Sequence, residues 1–423
     1  KAKNKSLVEV RATEMSNATI LIKKKLNGED LSKEELEFLI SEIVHNNLTE
    51  AEIAYFASAE KLEGMTMKEV IDLTKAMVRT GKKLSFPGKY VADKHCIGGI
   101  AGNRTTPLVV SICAAAGLTL PKTSSRAITS AAGTADVIET ISKVNLSFSE
   151  IKRVVKKTGA CLAWGGSIGL SPSDDKIIRV ERILNLDVEP QLLASIMSKK
   201  VSAGSRYILI DIPYGPGSKV PSIKSAKRLG RKFQEIAKAF RLKIKIVYTK
   251  GSEPIGSGIG PNLEMLDVLA VLKNSTEAPE DLRKKSLYLS SELMNLCGKK
   301  NSRKKAEEIL SSGKAFEKFK EIINAQNGKN NFDRRVNSLG LAKFKKIIKA
   351  KKYGRISKIS NKGINALCRV LGTPETKTAG VYLHKHVGKV KKGEKIITLY
   401  SESRSKMGEA RRFLRKFKPI EIK

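Results

Sequence analysis

The sequence is poor in the residues that build metal centres and stapled folds. Its 423 residues include only four histidines and five cysteines. The cysteines (Cys96, Cys113, Cys161, Cys297, Cys368) stand far apart, odd in number and without a C-x-x-C pair. A disulfide framework is thereby excluded, a reducing cytosol fits, and a structural zinc site is disfavoured. His384 and His386 form an H-x-H pair that would share one strand face if the stretch alternates, too little for histidine-rich metal chemistry. No apolar run approaches the ~18 residues of a membrane span, and no basic–apolar–small leader opens the chain. Aromatics are scarce, with 12 Phe, 9 Tyr and 1 Trp, and they are not interleaved with basic clusters as stacking platforms for nucleic acid would be. Acid is also short: 42 Asp and Glu face 80 Lys and Arg, a net charge of +38. A field of that sign attracts phosphates of every kind. Spread along the chain, the excess reads first as a solvated basic surface and only second as a nucleic-acid footprint.

What is present is a real core. Hydrophobic residues make up 41% and charged residues 29%, over a length that suits about three domains of ~150 residues. Residues 1–15 read as a Lys-rich lead-in. Three capping boxes follow, Ser32-x-x-Glu35, Thr49-x-x-Glu52 and Thr66-x-x-Glu69, each ahead of helical apolar spacing. A small helical domain is predicted over 16–82, with a second helical stretch over 172–203 packing back onto it. Pro87 and Gly88 break the pattern. Beyond them strand-like runs (Tyr207–Ile212, Ile244–Tyr248) alternate with helices such as Leu108–Ala116. The fold class is therefore α/β with a mainly parallel or mixed sheet, over 88–170 and 204–335. From about 341 to 423 the chain turns strand-like again, a compact α+β cap.

The chemistry concentrates in Asp93–Glu139. Asp93-Lys94-His95 leads into Gly98-Gly99-Ile100-Ala101-Gly102, then Asn103-Arg104-Thr105-Thr106 and a helix. Glycines let backbone amides converge on an anion, and the helix start adds a favourable dipole. Lys94 and the threonines complete a phosphate cradle. A second hydroxyl-rich turn follows: Ser124-Ser125-Arg126, Thr129-Ser130 and Gly133-Thr134. The spacing fits neither a P-loop nor a Rossmann fingerprint. Gly256-Ser257-Gly258-Ile259-Gly260 reads as a tight turn before a helix, Trp164 as core, and Lys199-Lys200, taken alone, as a helix end open to solvent.

The D-K-H-x-x-G-G turn, the S-x-R-x-x-T-x-x-x-G-T-x-D-x-x-E stretch, the later A-S-I-M-S-K-K and the A-G-V-Y…G-x-V-x-x-G-E-x-I cap together resemble the thymidine/pyrimidine-nucleoside phosphorylase family. The wording K-H-C-I-G-G and S-S-R-A-I-T is similar to that of its archaeal branch, the AMP phosphorylases. The resemblance covers nearly the whole chain and implies the class II nucleoside phosphorylase architecture. It puts Lys94, Gly99, Thr106, Ser124 and Thr134 at phosphate-contacting positions. It puts Ser125, Arg126, Ala127, Ile128, Thr129 and Ser130 on the loop bordering the nucleotide. Ser195 and Lys199 match the base-binding helix, Asp187 the proton donor and Lys219 a further nucleotide contact. An arginine expected ahead of Asp187 is Arg179 or Arg182. Two departures stand out: Cys96 replaces a serine after the K-H pair, and the Gly99–Thr106 turn is one residue longer. The extra N-terminal domain that usually precedes this region in the archaeal branch is not expected in this chain.

The implied reaction is phosphorolysis of AMP to adenine and α-D-ribose 1,5-bisphosphate, with CMP and UMP as further substrates. Phosphate is the co-substrate and no cofactor or metal is expected. The cations Arg126 and Lys219 suit a nucleotide's second anion better than a neutral nucleoside. A pyrimidine-nucleoside phosphorylase or a phosphoribosyltransferase-like relative is the alternative within the fold, and a nucleic-acid-binding protein the alternative outside it. The expected partners are AMP and phosphate, with no membrane and no specific nucleic acid, in a cytoplasmic homodimer.

Overall fold

A computed structural model describes residues 16–184 and 186–423; the lead-in assigned to 1–15 lies outside them. The chain opens with α1 (Asn17–Leu26), α2 (Lys33–His45), α3 (Glu50–Glu63) and α4 (Met67–Thr80). All three capping boxes form. Ser32 and Glu35 exchange bonds of 3.2 and 2.6 Å, and Thr49–Glu52 and Thr66–Glu69 do the same. Each box satisfies two helix-start amides that would otherwise lack a partner. The apolar stripes these helices present, including Leu36, Leu39, Ile40, Phe56, Leu73 and Met77, make one core.

The pattern then changes to strand–helix alternation. β1 (Ala92–Cys96), α5 (Thr105–Ala115), β2 (Leu120–Ser124), α6 (Thr134–Ile138), α7 (Phe148–Thr158) and β3 (Ala160–Trp164) follow. Next come α8 (Pro172–Leu184) and α9 (Glu189–Ser202), whose Ile177, Val180 and Ala194 join the first helical core. Two compact units result: residues up to Thr80 with Ser171–Ser195, and Gly81–Leu170 with Ile196–Lys423. The division falls inside α9, so Lys199 and Lys200 belong with the second unit.

In that unit β4 (Tyr207–Tyr214), α10 (Ile223–Ala239) and β5 (Lys243–Lys250) complete the sheet. Strands β1–β4–β5 pair in parallel, as do β2–β3, and a single parallel bridge, Val91–Thr119, joins the two sets. β4 is buried on both faces, which is why it reads as an apolar run interrupted only by Asp211. β6 (Gly258–Ile259) and α11 (Pro261–Leu272) come next, then α12 (Glu280–Leu296), α13 (Ser302–Ser311), α14 (Lys314–Asn327) and α15 (Phe332–Asn337). Leu289, Leu293, Phe319 and Ile322 of these helices share a core with Leu108, Val109 and Ile112 of α5.

The C-terminal part comprises β7 (Phe344–Lys349), β8 (Gly354–Ile359), α16 (Asn361–Leu371), β9 (Gly380–Leu383), β10 (Gly388–Val390), β11 (Lys395–Ser401), α17 (Arg404–Phe417) and β12 (Ile420–Ile422). Its two sheets, β6-β9-β11-β7 and β10-β8-β12, are antiparallel. The basic excess is less even than the sequence reading held: residues 341–423 carry 24 Lys and Arg against five acids, half of the net charge. Some of this has a structural reason. β7 is an edge strand, and its exposed Lys345, Lys346 and Lys349 block edge-to-edge pairing. The H-x-H pair does not share a strand face, because β9 ends at Leu383. His384 Nε2 instead meets Thr398 Oγ1 at 2.7 Å while His386 lies 3.6 Å from Glu253. No helix among the described residues is long and apolar enough to cross a membrane.

Candidate active site

Five parallel strands place their carboxyl ends along one edge, where open α/β sheets put their ligand loops. The loops after β1, β2, β4 and β5 carry most of the residues singled out from the sequence. β1 sets the geometry by alternation: Asp93 and His95 face one side of the sheet, Lys94 and Cys96 the other. Lys94 is fully buried and donates from Nζ to Thr105 Oγ1 at 2.7 Å. Burial lowers its pKa, against the opposing pull of Cys96 and Asp211. Thr105 and Thr106 open α5, both buried.

The glycine turn is held from three directions. Gly99 has φ +87°, and a Cβ there would stand 2.7 Å from the Lys219 amide. The absence of a side chain therefore lets the β1 loop lie on the 215–219 loop. Asn103, at φ +54°, donates its amide to Ile255 O at 2.8 Å, tying in the loop after β5. Asn361 of α16 accepts from Ala101 N and donates to Gly251 O, both at 3.0 Å. Asn361 alone thus pins two of the four loops to the C-terminal part.

The 124–134 loop is organised by Asp136, one of whose carboxylate oxygens accepts from the amides of Ala127 (2.7 Å) and Gly133 (2.8 Å). Ser124 is half-buried at the end of β2, and Ser125, Ile128 and Thr129 are exposed. The Ile128 carbonyl accepts from Arg369, Ser130 donates to Ala132 O, and the Ala131 amide donates to Asn365. Thr134 Oγ1 accepts from Arg104 at 2.7 Å. Arg126 is already engaged: it bonds Asp136 (3.2 Å) and Glu139 (2.6 and 2.9 Å) and lies over the Trp164 ring. Glu139 holds the guanidinium firmly charged, and its own pKa is pulled down to about 2 by Arg126. Arg126 is thus held by two carboxylates of its own chain, and Lys219 lies exposed in its loop.

The structure brings together Lys94, Gly99, Thr106, Ser124, Thr134 and Lys219 in the second unit. Asp187 and Ser195 belong to the first. Asp187 is exposed between α8 and α9, where its carbonyl accepts from Lys61 Nζ at 2.9 Å. Ser195 is buried on α9, and Lys199 is half-buried. Arg179 and Arg182 are both exposed on α8, Arg179 lying 3.8 Å from Glu50.

Several important residues were not singled out from the sequence. Lys200 is no exposed helix end: it is 3% exposed, with Nζ 2.7 Å from Asp93. Lys122 reaches the same carboxylate at 3.1 Å. Burial and these lysines push the His95 pKa far down, so its imidazole is neutral. Asp211 meets Lys285 at 3.0 Å and Thr249 at 2.6 Å. Arg104 ties Thr134 to Glu264. The signal available was a charge inside an apolar strand, Asp211 in YILIDI and Lys122 in LPKTS, which burial requires to be paired. In the Gly256–Gly260 segment the amides are taken by the chain's own acids, Asp281, Asp267 and Glu264. The sequence reading of a tight turn is corrected in part: Gly258 and Ile259 form the short strand β6, paired with β9.

Three family models match in chain order. The helical bundle domain of a glycosyl transferase family matches residues 19–81, the α/β domain of that family 88–187, and the pyrimidine nucleoside phosphorylase C-terminal domain 355–421. An AMP phosphorylase of Methanococcus aeolicus is 43% identical, over 98% of this chain and 82% of its own length. The chain belongs to the thymidine/AMP phosphorylase family. An AMP phosphorylase of Pyrococcus furiosus is 45% identical over 95% of this chain and 80% of its own. A Ralstonia nicotianae protein named "Putative thymidine phosphorylase" is 44% identical over 90% and 75%. Among solved structures, anthranilate phosphoribosyltransferase of Thermus thermophilus shares the fold, with a TM-score of 0.60 at 17% identity over 72% of this chain and 98% of that one. Family membership makes the chain a glycosyltransferase enzyme, and its helical, α/β and C-terminal domains are the parts read from the sequence.

Proposed function

We propose that the protein phosphorolyses nucleoside 5′-monophosphates, converting AMP and orthophosphate to adenine and α-D-ribose 1,5-bisphosphate, with CMP and UMP as further substrates. The observation that carries this reading is the convergence of the loops after β2, β4 and β5 on the glycine turn after β1, with two threonine hydroxyls each accepting from a cation, in a chain 42–45% identical to AMP phosphorylases. Orthophosphate held by Lys94, Thr106 and the turn amides is positioned for attack on the ribose C1′, which removes most of the entropic cost of the encounter. The C1′–O bond forms as the C1′–N bond breaks. The electron pair of the broken bond leaves with the base, and positive charge develops on the sugar ring. Adenine departs poorly as an anion, so a proton from Asp187 accelerates the step; such donation contributes about 10²–10⁴-fold. Ser195 and Lys199 orient the base, and Lys219 takes the 5′-phosphate. No covalent enzyme intermediate, metal or cofactor takes part. We place the enzyme in the cytoplasm, as a homodimer of the archaeal type.

The engagement of Arg126 by Asp136 and Glu139 favours a second reading, phosphorolysis of uncharged pyrimidine nucleosides, since one of the two cations invoked for a nucleotide is spent. Incubation with phosphate and AMP, CMP, UMP, adenosine or thymidine, followed by measurement of free base, decides between them. Release from nucleotides is expected; release from nucleosides alone would overturn the first reading.

A further inference from the structure

Arg104 lies in the lengthened turn ahead of α5, and the sequence assigned it no individual task. Its guanidinium side chain is 11% exposed and already bound on several sides. Nε donates to Glu264 Oε2 at 2.7 Å and Nη2 lies 2.6 Å from the same oxygen. Nη2 also donates to Ala132 O at 2.9 Å, and Nη1 to Thr134 Oγ1 at 2.7 Å. Four of its five N–H donors are engaged by the protein, and the carboxylate of Glu264 offsets its charge. Its effect falls on Thr134. A hydroxyl has one proton and two lone pairs. Once a lone pair of Thr134 is occupied by the guanidinium, its O–H must point away from Arg104, and it is free to donate to an incoming acceptor.

Lys94 and Thr105 repeat the arrangement across the turn: Nζ donates to Oγ1 at 2.7 Å, so this hydroxyl also has its proton directed elsewhere. Each hydroxyl is thus preset by a cation before any ligand arrives, and Thr134, half-buried where Thr105 is fully buried, is the one an oxyanion could reach without reorganisation. Glu264 supports it. At 1% exposure the carboxylate neutralises Arg104 and holds the guanidinium plane, so the arginine orients the threonine without adding a free charge.

We infer that Arg104 is a positioning residue for orthophosphate, presetting the Thr134 hydroxyl as a donor. This rests on the reading that these loops hold the phosphate co-substrate, and the experiment separates the two. Arg104→Met is made together with Glu264→Gln, so that no buried carboxylate is left unpaired. Thr134→Val is made alone and in combination with that pair. Steady-state kinetics then give KM for phosphate and for AMP separately, and thermal unfolding with and without orthophosphate, in the absence of nucleotide, reports binding directly.

The Arg104→Met/Glu264→Gln protein should raise the phosphate KM about tenfold, the worth of one hydrogen bond to a charged acceptor. The AMP KM should move less than twofold. Thr134→Val should do the same, and the combination should again cost about tenfold, because both changes remove one hydroxyl donor. A combined loss near a hundredfold would show that Arg104 acts independently of Thr134 and overturn the inference. An unchanged phosphate KM in the folded Arg104→Met/Glu264→Gln protein would overturn it too. If orthophosphate neither stabilises nor serves the unmodified enzyme, the phosphate reading itself falls, and the inference with it.

Discussion

Glu60 offers a test of the structure independent of catalysis. It sits on α3 at 1% exposure, and neither carboxylate oxygen has a hydrogen-bond partner. Burial raises its pKa well above the usual 4.5, and the charges of Glu181 on α8 and Glu69 on α4 push the same way. Lys25 on α1 opposes them, but it is committed to Glu69 at 3.0 Å. The folded state therefore keeps a proton that the unfolded chain gives up near pH 4.5. This stability is fully present below that pH and is lost as pH rises toward the folded pKa. Each pH unit of the window costs about 1.4 kcal/mol. For a helical unit of about 100 residues that is a Tm change of roughly 5 °C or more per pH unit. Glu60→Gln preserves shape and removes the titration. Its Tm and that of the unmodified protein should agree near pH 4.5, and the variant should pull ahead as pH rises from there toward the folded pKa. Parallel curves would mean that Glu60 is hydrated or paired, and the packing of α3 against α8 would have to be redrawn. The comparison must be differential, because Lys200 works in the opposite sense. Its pKa is depressed to about 7 by burial, which makes stability rise between about pH 7 and 10.5.

Other expectations concern the site. Asp187→Asn should lower turnover on AMP by two orders of magnitude or more with little change in AMP KM; full turnover would put the acid elsewhere. Lys219→Ala should weaken AMP at least tenfold more than adenosine, since a charge-assisted bond to the 5′-phosphate is lost, and equal losses would remove its assigned role. Gly133→Ala should break the 124–134 loop, because the new Cβ would stand 2.5 Å from Ser125 O and from the Arg126 carbonyl carbon; activity should vanish while most of the fold survives, and an active Gly133→Ala would show the loop to be pliable. Asp93→Asn should destabilise by about 3–5 kcal/mol, leaving Lys122 and Lys200 buried without a counter-charge. Lys200→Met, which leaves the Asp93–Lys122 pair intact, should fold normally; urea unfolding of both variants measures the contrast.

What was legible in the sequence is what short-range chemistry writes. The capping boxes name their partner three residues away, and the apolar spacing behind them names the buried face, so α2, α3 and α4 could be placed closely. The strands β4 and β5 announced themselves as apolar runs. What was not legible are pairings between distant segments. Arg104 meets Glu264 across 160 residues, and Asp93 joins Lys122 to Lys200 from three separate elements. Nothing local marks Lys200 as buried, since a lysine at a helix end is ordinarily solvated. Arg126 is the instructive case. Its partner Glu139 stands only 13 residues on, inside the quoted motif, yet a motif read as a list of contacts gives no sign that two members bind each other. The break inside α9 was invisible for a related reason: helical periodicity runs unchanged through Ser195, while the body each half packs against changes.

If phosphate is held at the glycine turn as proposed, the buried charges around β1 give the physical reason. Asp93 faces Lys122 and Lys200 on one side of the strand, and Asp211 lies beside Lys285 and acts on Lys94 on the other. Four ammonium groups share two carboxylates, and all six side chains are nearly or fully buried. Two positive charges remain without a fixed counterpart in a region where water screens poorly, a costly arrangement. The depressed pKa of Lys200 is one way the protein relieves it, by shedding a proton near neutrality. A dianion held at the glycine turn, as proposed, would be the other. Orthophosphate carries the charge the surplus lacks, and its arrival would favour the protonated form of Lys200 again. The lysines that are costly on their own would thus stabilise a bound phosphate, and the carboxylates set how much of their charge the ligand must match.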